Sequence, residues 1–358
     1  MQTMPPLSSP PASGARDSAT AAALCLGETM VMLGADEGSL SESAVARLYV
    51  AGAESNVATG IAHLGHHVEW FSRLGDDPFG ERIRSSLGNR GVDTRRVIVD
   101  PDHGTGIYFK DWSSGESSVY YYRSDSAAAQ LSLADFAGLE LSTRRLCHLS
   151  GITPALSPSC DAAMGELLLT RERGDTVISF DVNHRAQLWS AEVAAPRMLE
   201  LARGADIVIV GRDEAETLWG TATAEAIREL FADAPLLVVK DSDIGATSFI
   251  GSESYFVPAL RVEVVEPIGA GDAFAAGFLS AWLDDEDPVS CLRLGHVMAA
   301  HVLRSLGDTP QLPPRAELLA LARLDERSWR DLHLTRPRVD AVSPDRTSPL
   351  LVSEGIAL

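Results

Sequence analysis

Residues Pro267–Phe274 read PIGAGDAF, and this octapeptide constrains the chain more than any other segment. Two glycines around an alanine make a turn whose backbone can come close to an anion. Behind it, Asp272–Trp282 carries Phe274, Phe278 and Trp282 at i, i+4 and i+8, the spacing of a helix. Ahead of it, Val262–Glu266 is β-rich and is expected to be a strand. A Gly-rich turn between strand and helix is a phosphate cradle, because the first helical amides lack partners and the dipole favours negative charge. Asp272 puts a carboxylate beside that cradle. Such a group can take the proton from an attacking hydroxyl, so Asp272 is the expected general base. The amides of Gly269, Ala270 and Gly271 are expected to hold charge on a transferred phosphoryl group. The competing explanation is a helix cap with a flexible entry.

The chain has 358 residues, which suits a large α/β enzyme, and its 45% apolar content is ample for a core. Asp and Glu outnumber Lys and Arg by 50 to 30, a formal charge of −20. That charge repels nucleic acid and anionic membranes, so neither is an expected partner. An anionic substrate has to be drawn in by local arginines. The four cysteines, Cys25, Cys147, Cys160 and Cys291, form no CxxC or Cys/His cluster. They read as small buried residues in a reducing compartment, and the expected location is cytoplasmic. There is no apolar run of membrane-spanning length, and the N-terminus does not read as a secretory signal.

Residues 1–22, rich in Pro, Ser and Ala, are expected to be a disordered tail. Ala23–Leu33 is β-rich with a break at Gly27–Glu28, Asn56–Leu64 has helical spacing, and Val68–Leu74 reads as a strand. Asp77 and Pro78 are placed to cap and open a helix carrying Phe79, Ile83 and Leu87. Thr105–Asp111 and Ser117–Arg123 flank SSGE, a hairpin signal. Strands are expected at 145–149, 176–181, 206–210 and 236–240 with helices between, the pattern of a parallel sheet covered on both faces. A second hairpin pairs 246–250 with 254–258, and a helix over Val289–Leu306 stops at Gly307. After Leu324 the chain turns polar, and 325–358 is expected to be a tail.

The GAGD turn before an Ala/Gly/Phe-rich helix resembles the second signature of the ribokinase-like (PfkB) carbohydrate kinases. AGAESNVATGIAHLG, Ala51–Gly65, resembles the first, and the resemblance spans residues 24 to 310 or so. YYRSDSAAAQLS (Tyr121–Ser132) and DVNHRAQLW (Asp181–Trp189) resemble the 2-keto-3-deoxygluconate kinases within that family. There is no GxxxxGK[ST], HRD or DFG motif. The resemblance implies an α/β fold, a three-layer ribokinase-like sandwich with a mainly parallel sheet and a small β lid. The kinase domain is expected over 23–324, with lid strands within 28–52 and 104–124. ATP and Mg²⁺ are the implied cofactors, the implied substrate is a sugar acid, and a homo-oligomer through the lid strands is implied as well.

On the lid, Tyr121 and Arg123 are two apart and share a face, with Tyr108 across the hairpin. Arg123 can grip a carboxylate and a tyrosine can bond a hydroxyl, although a solvated Arg with aromatic packing explains the pattern too. Arg185 lies past the carboxyl end of a strand, where ligands of open α/β sheets gather. The resemblance places Gly52, Ala53, Asn56 and Arg185 against the sugar acid, and Asn183, Lys240 and Gly245 near the nucleotide. Asn56 read bottom-up can equally be a helix N-cap, and Asp181 and Asn183 can be turn residues. Glu214 corresponds to the family's Mg²⁺-binding Glu, with a helix-start carboxylate as the alternative. The chain departs from the family at Gly211, where the Asn of Asn-x-x-Glu is lost. It departs again at Glu266 and Pro267, before the turn, and at Ser242 in place of a glycine. The expected activity is ATP-dependent phosphorylation of 2-keto-3-deoxygluconate at its 6-hydroxyl. Another PfkB kinase, for fructose or another deoxy-sugar, and a non-catalytic sugar sensor are the alternatives.

Overall fold

A computed structural model of the chain describes residues 21–335 except 36–38, 112–117, 171, 306–309 and 311. The expectations for residues 1–20, for the SSGE turn, for the Gly307 helix stop and for 336–358 lie outside the described residues.

The amino-terminal half runs β1 (Ala23–Leu26), β2 (Met30–Ala35), β3 (Ala46–Ala51), α1 (Ala53–His63), β4 (Val68–Phe71), β5 (Arg73–Gly75), α2 (Pro78–Asn89), β6 (Val92–Asp93), β7 (Ile98–Asp100), β8 (Ile107–Asp111) and β9 (Ser118–Tyr122). The βα units follow: β10 (Leu146–Ser150), α3 (Pro158–Gly165), β11 (Val177–Asp181), α4 (Ala191–Arg203), β12 (Ile207–Gly211), α5 (Arg212–Trp219), α6 (Ala224–Leu230) and β13 (Leu236–Asp241). The last described elements are β14 (Gly245–Ile250), β15 (Glu253–Pro258), β16 (Arg261–Val262), α7 (Ala270–Leu283), α8 (Pro288–Leu303), α9 (Arg315–Ala322), α10 (Glu326–Asp331) and β17 (His333–Leu334).

Nine strands form the main sheet in the order β15-β14-β13-β12-β11-β10-β1-β4-β6. All neighbours from β13 to β6 are parallel, and β14 and β15 add an antiparallel hairpin edge. β1, β10 and β12 are buried at every residue, which is why β1 and β12 read as apolar runs; β10 also buries His148 and Ser150. One core packs α1, α7 and α8 on one face; the other packs α3, α4 and α5 on the opposite face. The winding reverses between β1 and β10, which makes their carboxyl ends the switch point where such sheets bind ligands.

β2, β3, β8 and β9 leave the main sheet and form a separate one in the order β3-β2-β8-β9, the expected lid. α7 packs between α1 and α8, and a glycine sets its closest approach to α8. A Cβ on Gly277 would lie 2.5 Å from Leu294 O, so only glycine lets α7 and α8 approach this closely. Asp77 caps α2 as expected, Oδ1 accepting from the Phe79 and Gly80 amides at 3.0 and 2.8 Å.

Five sequence expectations need correction. The first helix begins at Ala53 with Gly52 as its N-cap, so Asn56 is inside the helix and is not its cap. The run Val68–Leu74 breaks at Ser72 into β4 and β5, which join different sheets. The strand expected over Val262–Glu266 is only β16; beyond it, Val265 and Glu266 both donate to Leu303 O, so the GAGD turn hangs from the end of α8. α7 starts at Ala270, two residues before the expected Asp272. Finally, the ordered body continues past Leu324. β17 pairs with β16, and Trp329 of α10 is 2% exposed and donates from Nε1 to Pro258 O at 3.1 Å.

Candidate active site

Gly269 joins the turn to α7. It is the N-cap and sits at φ 82°, ψ −9°, a left-handed conformation that costs glycine nothing. The first bond inside the helix runs from Ala273 N–H to Gly269 O at 2.9 Å, so the Gly271 amide precedes the helical ladder. The turn closes on itself, and the Ala270 amide, expected in the cradle, donates to Pro267 O at 3.3 Å. Lys240, at the end of β13, lies beside the turn: a Cβ on Gly271 would lie 3.6 Å from its Nζ.

Asp272, in the first turn of α7, is half-buried. Its Oδ2 accepts from Asn56 Nδ2 at 2.8 Å. Asn56 is itself 7% exposed and fixed in α1, its N–H donating to Gly52 O at 2.8 Å. Asn56 therefore orients the expected base.

Two residues before Asn56 lies an acid that the sequence did not single out. Glu54 is fully buried at the switch point. Its Oε1 accepts from Ser150 Oγ at 2.6 Å and Thr153 Oγ1 at 3.2 Å, and its carboxyl packs against Gly27, where a Cβ would meet it at 2.0 Å. Burial pushes its pKa up to about 7; the hydroxyl bonds pull it down and the charge of Asp272 adds to the rise.

The strand ends carry the rest. Lys240 Nζ pairs with Asp181 Oδ2 at 2.8 Å. Burial pulls the Lys240 pKa down, but the Asp181 and Glu214 carboxylates outweigh it, and the ammonium ends above its ordinary value. Glu214 Oε2 accepts from Gly211 N at 2.8 Å, the contact of a helix-start carboxylate. Burial raises its pKa, against the opposing charges of Lys240 and Arg185. Arg185 is exposed, and its Nη1 lies 3.5 Å from His184 O. Asn183 is buried at φ 41°, and Ser242 keeps a φ of 44° although it is not glycine. Gly245 is required by packing, since a Cβ there would lie 2.4 Å from Val257 O.

On the lid, register places Tyr49, Met32, Tyr108 and Tyr121 in one row across all four strands. The Tyr108 and Tyr121 rings are 5.4 Å apart, and Arg123 lies over Tyr121 at 5.5 Å. Arg123 is not a solvated arginine: it is paired with the buried Glu28. Gly52 packs so tightly that a Cβ would lie 2.5 Å from Glu28 O, and Ala53 follows it as the first helical residue. A second pair the sequence did not reveal joins Lys110 of β8 to Glu266, just ahead of the turn.

The profile of the pfkB family carbohydrate kinase matches residues 20–315. The chain belongs to the PfkB family. It is a carbohydrate kinase of ribokinase-like fold. It is 34% identical to the 2-dehydro-3-deoxygluconokinase of Bacillus subtilis (strain 168), over 83% of this chain and 94% of that protein. It is 30% identical to the 5-dehydro-2-deoxygluconokinase of Lacticaseibacillus casei, over 80% of this chain and 89% of the other. The crystal structure of a PfkB protein from Polaromonas sp. JS666 superposes with a TM-score of 0.76 at 32% identity, covering 84% of this chain and 99% of that one.

Among the described residues this PfkB kinase has no cluster of three or more metal-ligating side chains. Mg²⁺ does not need one, because it keeps waters and shares one or two carboxylates with substrate phosphates. Asp181 fits that requirement, since its Oδ1 is buried without a hydrogen-bond partner among the described residues. Glu214 is the nearby second carboxylate, its charge felt at Lys240 together with that of Asp181. Among the described residues no helix of the kinase is long and apolar enough to cross a membrane.

Proposed function

We propose that this kinase transfers the γ-phosphoryl group of ATP to the 6-hydroxyl of 2-keto-3-deoxygluconate. The Asn56–Asp272 contact carries the reading: a half-exposed carboxylate is held by a helix-borne amide at the mouth of an anion cradle. Asp272 accepts the hydroxyl proton. The sugar oxygen bonds to the γ-phosphorus as the bond from that phosphorus to the ADP oxygen breaks. Gly269, Gly271 and Lys240 meet the charge that develops. Asp181 and Glu214 would hold Mg²⁺, which supplies neutralisation of the phosphates.

The tyrosine row and Arg123 support a sugar site under the lid, with Gly52, Ala53 and Asn56 at its floor and Arg185 as the carboxylate reader. Asn183, Lys240 and Gly245 belong to the nucleotide side. Tyr120 and Tyr122, exposed on the other face of the lid edge, support a homo-oligomer formed there. A cytoplasmic location fits the four buried free cysteines.

The second reading, phosphorylation of 5-dehydro-2-deoxygluconate, is favoured by the identity to the Lacticaseibacillus casei protein. A coupled ADP-release assay over a panel of both acids, fructose and ribose separates the two. The highest kcat/KM is expected for 2-keto-3-deoxygluconate. A higher value for another sugar replaces the substrate, and no ADP release with any sugar defeats the reading.

A further inference from the structure

Glu28 lies two residues past β1, where the chain leaves the main sheet for the lid. Its side chain is 0% exposed. Oε1 accepts from Ser126 Oγ at 2.5 Å, and Oε2 is ion-paired with Arg123 Nη2. Arg123 and Ser126 both belong to the segment that leaves the lid after β9, so one carboxylate ties the lid's exit to its entrance. The surroundings are shaped around it. A Cβ on Gly106 would lie 2.8 Å from Glu28 Oε1, and the Glu28 carbonyl abuts Gly52.

Arg123 is held by two contacts, and its side chain is largely buried. Glu28 takes one terminal nitrogen, the Tyr121 ring lies beneath the guanidinium, and the side chain is 9% exposed. Its Nε is buried and has no acceptor among the described residues. A buried donor in that state is satisfied when a ligand oxygen arrives. A free arginine samples many rotamers, and a guanidinium fixed in advance loses less freedom on binding. A buried carboxylate is a costly way to fill space, since apolar groups of similar volume do so at least as well.

We infer that Glu28 is a positioning residue for sugar recognition, holding Arg123 against Tyr121 so that the guanidinium is aimed at a substrate oxygen before the sugar enters. The inference rests on the sugar-kinase reading, with Arg123 in the sugar site.

The test is Glu28→Gln, which keeps size and the acceptor for Ser126 but removes the charge that holds Arg123. KM for the sugar is expected to rise about 10-fold or more, with KM for ATP within about twofold of wild type. The Glu28→Gln/Arg123→Ala double variant is expected to be no worse than Arg123→Ala alone, within about threefold in sugar KM. Ser126→Ala, which leaves the ion pair intact, is expected to raise sugar KM about threefold, and it serves if Glu28→Gln folds poorly. Unchanged or lowered sugar KM in the variant that folds, an equal rise in ATP KM, or multiplicative effects in the double variant would overturn the inference. A wild type that phosphorylates no sugar defeats the underlying reading and the inference together. An active wild type with an indifferent Glu28→Gln defeats this inference alone.

Discussion

Asn56 Nδ2 lies 2.8 Å from Asp272 Oδ2, and the two residues come from helices 216 positions apart in the chain. Asn56 is locked in α1 and Asp272 in the first turn of α7, so the carboxylate is aimed by the packing of two helices. Asp272→Asn should lower kcat by about 10²- to 10⁴-fold, the worth of a positioned general base, with little change in melting temperature. Asn56→Leu keeps the carboxylate but removes the Asn56 contact that aims it, and should cost about 10-fold or more in kcat. Steady-state kinetics on both variants check this; turnover of Asp272→Asn within tenfold of wild type would remove Asp272 from the role.

Glu54 links the site to stability. Its pKa is raised from 4.5 unfolded to about 7 folded, so between these values the folded protein binds the extra proton. Stability from this group is complete below pH 4.5 and is lost as pH rises to 7. The loss is about 3 kcal/mol. Glu54→Gln keeps the acceptor for Ser150 and Thr153 and has no charge to bury. It should match wild type near pH 4.5 and exceed it by about that margin at pH 8, measured by urea unfolding. A difference independent of pH would show that Glu54 does not titrate in this window.

The main sheet was legible because strands buried on both faces spell unbroken apolar runs, as in Ile207–Val210. Asp272 was legible because the turn chemistry around it is local. Glu54, by contrast, reads as an ordinary first-turn carboxylate, favoured there by the helix dipole. Only its spacing to Ala58 and Ile61, which puts it on the core face of α1, marks it as buried. Lys110 and Glu266 could not be paired by reading, because nothing local marks a partner 156 residues away. The strand expected before the turn failed for a related reason: Val264 and Val265 have β propensity, yet the hydrogen bonds there go to the end of α8.

Lys110 and Glu266 fasten lid strand β8 to the segment that carries the turn. Both are buried, at 2% and 8% exposure, so removing the lysine leaves the Glu266 carboxylate buried without this cation. Lys110→Met should destabilise by about 3–5 kcal/mol in denaturant unfolding. Lys110→Met/Glu266→Leu should recover a large part of that, since the buried carboxylate is removed together with its cation. A double variant no more stable than the single one would show that the pair is not what the lysine contributes.

Arg185 is exposed in the segment that follows β11, and its charge acts on Glu214. If it reads the carboxylate, Arg185→Ala should raise KM about 10-fold or more for a sugar acid and less than about threefold for an uncharged sugar such as fructose. Raising ionic strength should weaken only the acid's binding in wild type. Equal effects on both sugars would argue against carboxylate recognition by Arg185.

Gly269 tests the cradle with the least chemistry. At φ 82° a Cβ costs about 1–2 kcal/mol, and no charged or hydrogen-bonding side chain is removed by adding one. Gly269→Ala should therefore lower stability by that amount. If the helix relaxes the strain by moving its first turn, the Gly271 amide and Asp272 shift together. KM for ATP should then rise about 10-fold, and kcat should fall, because misplacement of about 1 Å already costs about 10²-fold in rate. A variant with the expected stability loss but unaltered ATP kinetics would separate the turn's conformation from phosphate binding.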